Sequence, residues 1–275
     1  MKTLILTLSL ITSSGAIADD PVELLQGMKI DAKEWQHPAG LNARKQINQY
    51  QLYGVVADGE RIIEIDPMTG ESTIIGQLGI AISMSSLGFD HQGELWGLSY
   101  AHTKNGNPRD RQLVLYRINL KTGAGTEVQR FKVPLGTGMG VGFEFSKDGS
   151  RLFWCNSRHL MELHKASGKV TEIMRLPLGS FCLARHPNGN LLTVGISKRQ
   201  LIEIDIKKRK VVNSRALNIP KAVPSLAITP DSQLFIETFG GKLWHMKNLQ
   251  ADPVLIGQTG LTPWGLAIRK GNKHK

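Results

Sequence analysis

The sequence is poor in the residue patterns that carry most enzyme chemistry. Its 275 residues include two cysteines, Cys155 and Cys182, with no Cys-x-x-Cys spacing and no Cys/His cluster, which excludes a metal held by thiolates. The eight histidines form no His-x-His or His-Glu-x-x-His pair, so a zinc site on a helix face is excluded as well. No Gly-x-Ser-x-Gly element or Ser/His/Asp order marks a nucleophile. The one glycine-rich run, PLGTGMGVGF at 134–143, leads into a strand instead of a helix and is not a dinucleotide loop. Acidic residues are in deficit, 23 against 34 Lys and Arg, for a net charge of +11. That excess favours anionic partners and bears on association, not on fold. No nucleic-acid-binding motif accompanies it.

Long apolar runs are also missing. The longest at the start, residues 4–11 of MKTLILTLSLITSSGAIADD, is far below the roughly 20 residues that span a bilayer. Lys2 before it and Ala16-Ile17-Ala18 after it complete the pattern of a secretory leader. Cleavage after Ala18 is expected, placing the mature chain in a periplasm or outside the cell without a transmembrane segment. It removes one lysine and no acid, and no cysteine is placed to carry a lipid anchor. Residues 19–49 show no repeat and are read as an arm or linker. In an oxidising compartment Cys155 and Cys182 form either a disulfide or two buried thiols; the spacing leaves both open.

What is present is a repeat. SSLGFDHQGELWGL, GVGFEFSKDGSRLFW, SFCLARHPNGNLLTV and PSLAITPDSQLFIET each give an apolar strand, a turn of Asp, Asn, Gly or Pro, and a second strand. Equivalent residues Leu87, Phe143, Leu183 and Leu226 are 56, 40 and 43 residues apart, the first interval being lengthened by a polar insertion. A second hairpin follows each, as in QLIEIDIKKRKVVNS, where Leu201, Glu203 and Asp205 alternate with Ile202, Ile204 and Ile206. Two hairpins per 40 to 45 residues is the period of a four-stranded propeller blade. The expected fold is all-β, a five-bladed β-propeller over 50–270 with a basic tail at 271–275. Its ring is closed where TPWGLAIRK, with Leu266 lying 40 residues after Leu226, joins the strands that begin at Tyr50. Six blades would be reached if the arm hid a degenerate one.

The phrases SLAITPDSQLFIET and LGFDHQGELWGL resemble those of the NHL and SMP-30/gluconolactonase-like propellers over about 220 residues. The resemblance implies a divalent cation, often calcium, held in the central channel by acidic and amide side chains, and with it a metal-dependent lactonase-like hydrolase.

Loops on a rigid scaffold carry function, so the face bearing the turns between second and third strands is where a ligand is expected. Tyr100, Asn156, Arg185, Glu237 and Trp264 are the ligand-binding candidates, and Asp58, Asn156 and Glu237 are oxygen donors of the kind Ca²⁺ accepts. A channel mouth lined by Met84, Met139, Phe181 and Trp264 would favour binding over catalysis. Glu144 stands where other repeats have Gly88, Ala184, Ala227 and Ala267, and Arg185 stands where they have Phe or Ile. The two are expected to form an ion pair between blades, with Glu144 as general base the catalytic alternative. The basic run at 207–210 is read as a solvated turn. The function expected is an exported binding protein for a small molecule, glycan or envelope protein, with the hydrolase as alternative.

Overall fold

The computed structural model describes residues 47–56, 61–101, 112–132 and 141–271, apart from the side chains of Ser83 and Met84. The expected leader, nearly all of the 19–49 arm, Asp58, Met139, most of the glycine run and all but Gly271 of the basic tail lie outside them.

The described chain is all-β. In order its strands are β1 (Tyr50–Val56), β2 (Arg61–Ile65), β3 (Ser72–Gln77), β4 (Ile82–Phe89), β5 (Leu95–Ala101), β6 (Gln112–Ile118), β7 (Gly125–Lys132), β8 (Gly142–Phe145), β9 (Arg151–His164) and β10 (Val170–Ser180). They continue with β11 (Ala184–Arg185), β12 (Leu191–Gly195), β13 (Gln200–Asp205), β14 (Lys210–Ala216), β15 (Ser225–Ile228), β16 (Leu234–Thr238), β17 (Lys242–Met246), β18 (Val254–Gln258) and β19 (Pro263–Lys270). Three antiparallel sheets have four strands, in the orders β19-β1-β2-β3, β4-β5-β6-β7 and β15-β16-β17-β18. A seven-stranded sheet runs β14-β13-β12-β10-β9-β8, with β11 also on β12.

That larger sheet is two units. β9 is 14 residues long, yet Arg151 Nη1 meets Glu162 Oε1 at 2.7 Å and Lys165 N donates to Ser150 O at 3.2 Å. In a straight strand residues 151 and 162 would stand more than about 30 Å apart. β9 therefore folds back on itself at Ser157, whose φ of 54° lies in the left-handed region used by tight hairpin turns. β10 pairs with the second half of β9, from Val170↔Leu163 to Arg175↔His159, and meets β12 only through Ser180↔Gly195. Two four-stranded units thus share one sheet through a single residue pair.

Local chemistry sets the turns. Asp66, Asp90, Asn119, Asp148, Asn188, Asp205 and Asn248 each accept a main-chain N–H two residues on, the Asx arrangement that competes with strand continuation. Where the first-to-second-strand turn then needs positive φ, Gly93, Gly149 and Gly189 supply it, and in the PDS turn Ser232 takes φ 68° instead.

The core lies between sheets. Trp96, Leu98 and Leu113 of one unit pack on Phe143, Phe145 and Trp154 of the next, and comparable clusters fill the other seams. The strand that leads each unit touches two others: β19 packs on β4 and β15, β4 on β8, β8 on β11, and β11 on β15. The expected joining of chain ends is present, with β19 paired to β1 from Tyr50↔Lys270 to Val56↔Pro263. This end-joined sheet is clasped on both sides. A Cβ on Gly76 would lie 2.0 Å from Thr122 O, and one on Gly257 would lie 1.8 Å from Thr69 O. Only glycine admits such backbone approach.

Candidate functional site

A cavity of about 430 Å³ opens among the leading strands, at the end that carries the first-to-second-strand turns. Its wall includes Leu87, Leu183, Leu226 and Leu266, with Glu144, Arg185 and Arg269 as charged neighbours. The phase of the ladders determines what the strands present to it. Asp90 N–Glu94 O, Ser146 N–Arg151 O, His186 N–Asn190 O, Thr229 N–Gln233 O and Gly271 N–Gln49 O are bonded pairs. Bonded and non-bonded positions alternate in antiparallel pairing. Gly88, Glu144, Ala184, Ala227 and Ala267 therefore bond their second strands. Phe89, Phe145, Arg185, Ile228 and Ile268 turn their N–H and C=O groups away from the ladder, toward the cavity.

Glu144 uses two of those inward groups. Its Oε1 accepts from Phe145 N at 2.9 Å and its Oε2 from Arg185 N at 3.3 Å, so one carboxylate bridges two adjacent leading strands. The expected ion pair is replaced by a main-chain contact. The Arg185 guanidinium donates through Nε to Phe145 O at 3.0 Å, and its terminal nitrogens have no protein partner among the described residues. Burial pushes the Glu144 carboxyl up to about 7, against the opposing pull of the Arg185 charge and the two N–H donors. On β19, Arg269 is held by Gln51 Oε1 at 3.0 Å and Tyr53 OH at 3.2 Å and stacks on the rings of Tyr53 and Phe89.

The other sequence candidates lie toward the opposite end. Tyr100 is buried in β5 among Leu98, Leu113 and Trp154. Asn156 is fully buried on the Trp154 face of β9, and neither polar atom of its amide has a hydrogen-bond partner. Glu237 is fully buried on the Phe235 face of β16; Ser225 Oγ donates to its Oε2 at 3.3 Å and its Oε1 is unpartnered. Burial holds that carboxyl well above the usual carboxylate range. Because Trp154 packs toward β5 and β6 while Phe235 packs toward β1 and β2, Asn156 and Glu237 enter different seams. Among the described residues no group of three or more His, Cys, Asp or Glu is arranged to hold a metal ion. Trp264 is partly buried, stacked on Phe181 at 6.3 Å and met edge-on by Phe239 at 5.7 Å. Cys155 and Cys182 are free, buried thiols, Cys155 pushed up to about 12 by burial.

Sequence reasoning missed Arg269 and the inward-facing N–H groups. Aligning AIRK at 267–270 with AITP at 227–230 would have found the arginine. The N–H groups carry no side-chain signal.

No family model and no curated protein matches the chain. Among solved structures it is similar to a chain in the crystal structure of a nidogen/laminin complex, with TM-score 0.57, 10% identity, and 80% of this chain and 98% of that one covered. It is also similar to a protein of unknown function from Bacteroides caccae, with TM-score 0.53, 13% identity, and 81% and 100% covered. The fold is propeller-like. At such identities the likeness carries the fold alone, and the propeller's sheets are the four-stranded units described above. No helix among the described residues is long and apolar enough to cross a membrane.

Proposed function

We propose that the units close into a five-bladed propeller and that the exported protein is a binding module whose small-molecule ligand seats in the channel cavity. Five leading strands that each pack on two others support the count, with β9 and β10 contributing the strands hidden in the larger sheet. Ring closure is supported by the β19–β1 pairing and by Tyr50 OH donating to Asp231 Oδ1 at 2.7 Å across the seam beside it.

The observation that carries the binding reading is the cavity itself. It is of the size of a small-ligand pocket, it draws on all five leading strands, and it combines the partly exposed Phe89, Ile228 and Ile268 with a few polar groups. A ligand there touches every blade, so its binding free energy adds to the stability of the whole ring. The test is a small-molecule screen on the full chain by melting temperature, with hits mapped by amide chemical shifts. At least one chemical class is expected to raise the melting temperature by several degrees and to move the Ile228 and Ile268 signals. Hits that move only signals near Trp264, or no hits at all, would overturn the reading.

A further inference from the structure

We propose that the channel cavity binds a small carboxylate, received by the free N–H groups of the leading strands and by Arg185. This rests on the cavity being the ligand site. The argument starts from Glu144, which acts as an internal stand-in for such a ligand. Its two oxygens reach N–H groups of two neighbouring strands, at 2.9 and 3.3 Å, at one level of the channel. The same level carries three more N–H groups, on Phe89, Ile228 and Ile268, which the ladders leave turned inward and which no carboxylate among the described residues reaches. An inward N–H at a cavity wall needs an acceptor, from water or from ligand.

Charge selects the ligand among acceptors. Arg185 offers its terminal nitrogens, and Arg269 is fixed at the wall by Gln51 and Tyr53, so its position does not have to be gained on binding. The acids that border the cavity do not oppose an anion fully. Asp90 already accepts from Gln92 N, Glu94 N and Trp96 Nε1, and Glu144 is engaged by two N–H groups. Hydrogen bonds from N–H and guanidinium to a carboxylate are charge-assisted and stronger than neutral ones. The partly exposed Phe89, Ile228 and Ile268 at the wall then suit a short carbon chain.

The experiment is calorimetric titration of the full chain with succinate, its uncharged analogue succinamide, and inorganic phosphate, at low ionic strength. Succinate is expected to bind at least tenfold more tightly than succinamide. Arg185→Ala is expected to weaken it tenfold or more and Arg185→Lys less, while a Lys207→Ala/Lys208→Ala surface variant leaves it unchanged. Circular dichroism and melting confirm that each variant is folded, and the lysine variant retains the charge if the alanine variant does not fold. Equal affinity for succinate and succinamide, tighter binding of phosphate, or equal loss in the surface variant would each overturn the carboxylate assignment. If screening hits move the Ile228 signal while succinate does not, the cavity reading stands and only this inference falls. If nothing moves it, both fall.

Discussion

The two ends of the leading strands differ in chemistry. At the ends where those strands begin, Trp264 stacks on Phe181 and is met edge-on by Phe239, above seams that hold the buried carboxyl of Glu237 and the unpartnered amide of Asn156. Where the strands finish, the wall opens to about 430 Å³ and is edged by Glu144, Arg185 and Arg269. The difference teaches that strand pairing alone does not make a site. One end uses its side chains to pack against one another, and the other leaves main-chain donors and charged groups facing open space. The aromatic end is where loop logic places function, and the cavity lies at the far end.

The largest effect on this comparison should come from the strand that runs through both ends. Removing residues 261–275 deletes β19, which pairs along the whole of β1 and packs on β4 and β15. Loss of cooperative unfolding in a denaturant titration is the expected outcome, whereas removing only 272–275 should leave the transition in place. Next, Trp264→Ala strips the aromatic end alone. A partly buried tryptophan should cost about 2 kcal/mol, less than the roughly 3–5 of a fully buried ring, read as a lower denaturation midpoint. Ligand binding at the charged end should be unaffected.

An effect of comparable order is confined to the charged end. The Glu144 carboxyl is raised from 4.5 to about 7, so the unfolded chain releases this proton first as pH rises. Glu144 therefore contributes a loss of stability that sets in above about pH 4.5 and is complete above about pH 7. Glu144→Gln should flatten that part of the stability–pH curve and raise the melting temperature at pH 8 relative to the wild type. An unchanged curve would mean that the carboxyl is not desolvated as its surroundings imply.

Much of the fold was legible because strand alternation and turn chemistry are local. The hairpins around Gly93, Gly149 and Gly189, the polar turn at Ser232, and the joining of TPWGLAIRK to the strand at Tyr50 follow from period-2 patterning and from residues that tolerate positive φ. The site was legible only in part. Glu144 and Arg185 stood out as charges among small and apolar equivalents, and the structure brings them together, although through the main chain. Asn156 and Glu237 look like a ligand pair in the sequence, but the side-chain alternation of β9 and β16 sends them into separate seams.

The sequence by itself determined the strands, the turns, their repeat and the pairing of the two ends, because each depends on residues close in the chain or on one matching strand. Only the tertiary structure decided which end of the leading strands carries the packed rings and which holds the cavity. It also decided that Glu144 meets the N–H of Arg185 and not its guanidinium. Those outcomes depend on ladder phase and on how neighbouring sheets pack, and no single stretch of sequence encodes either.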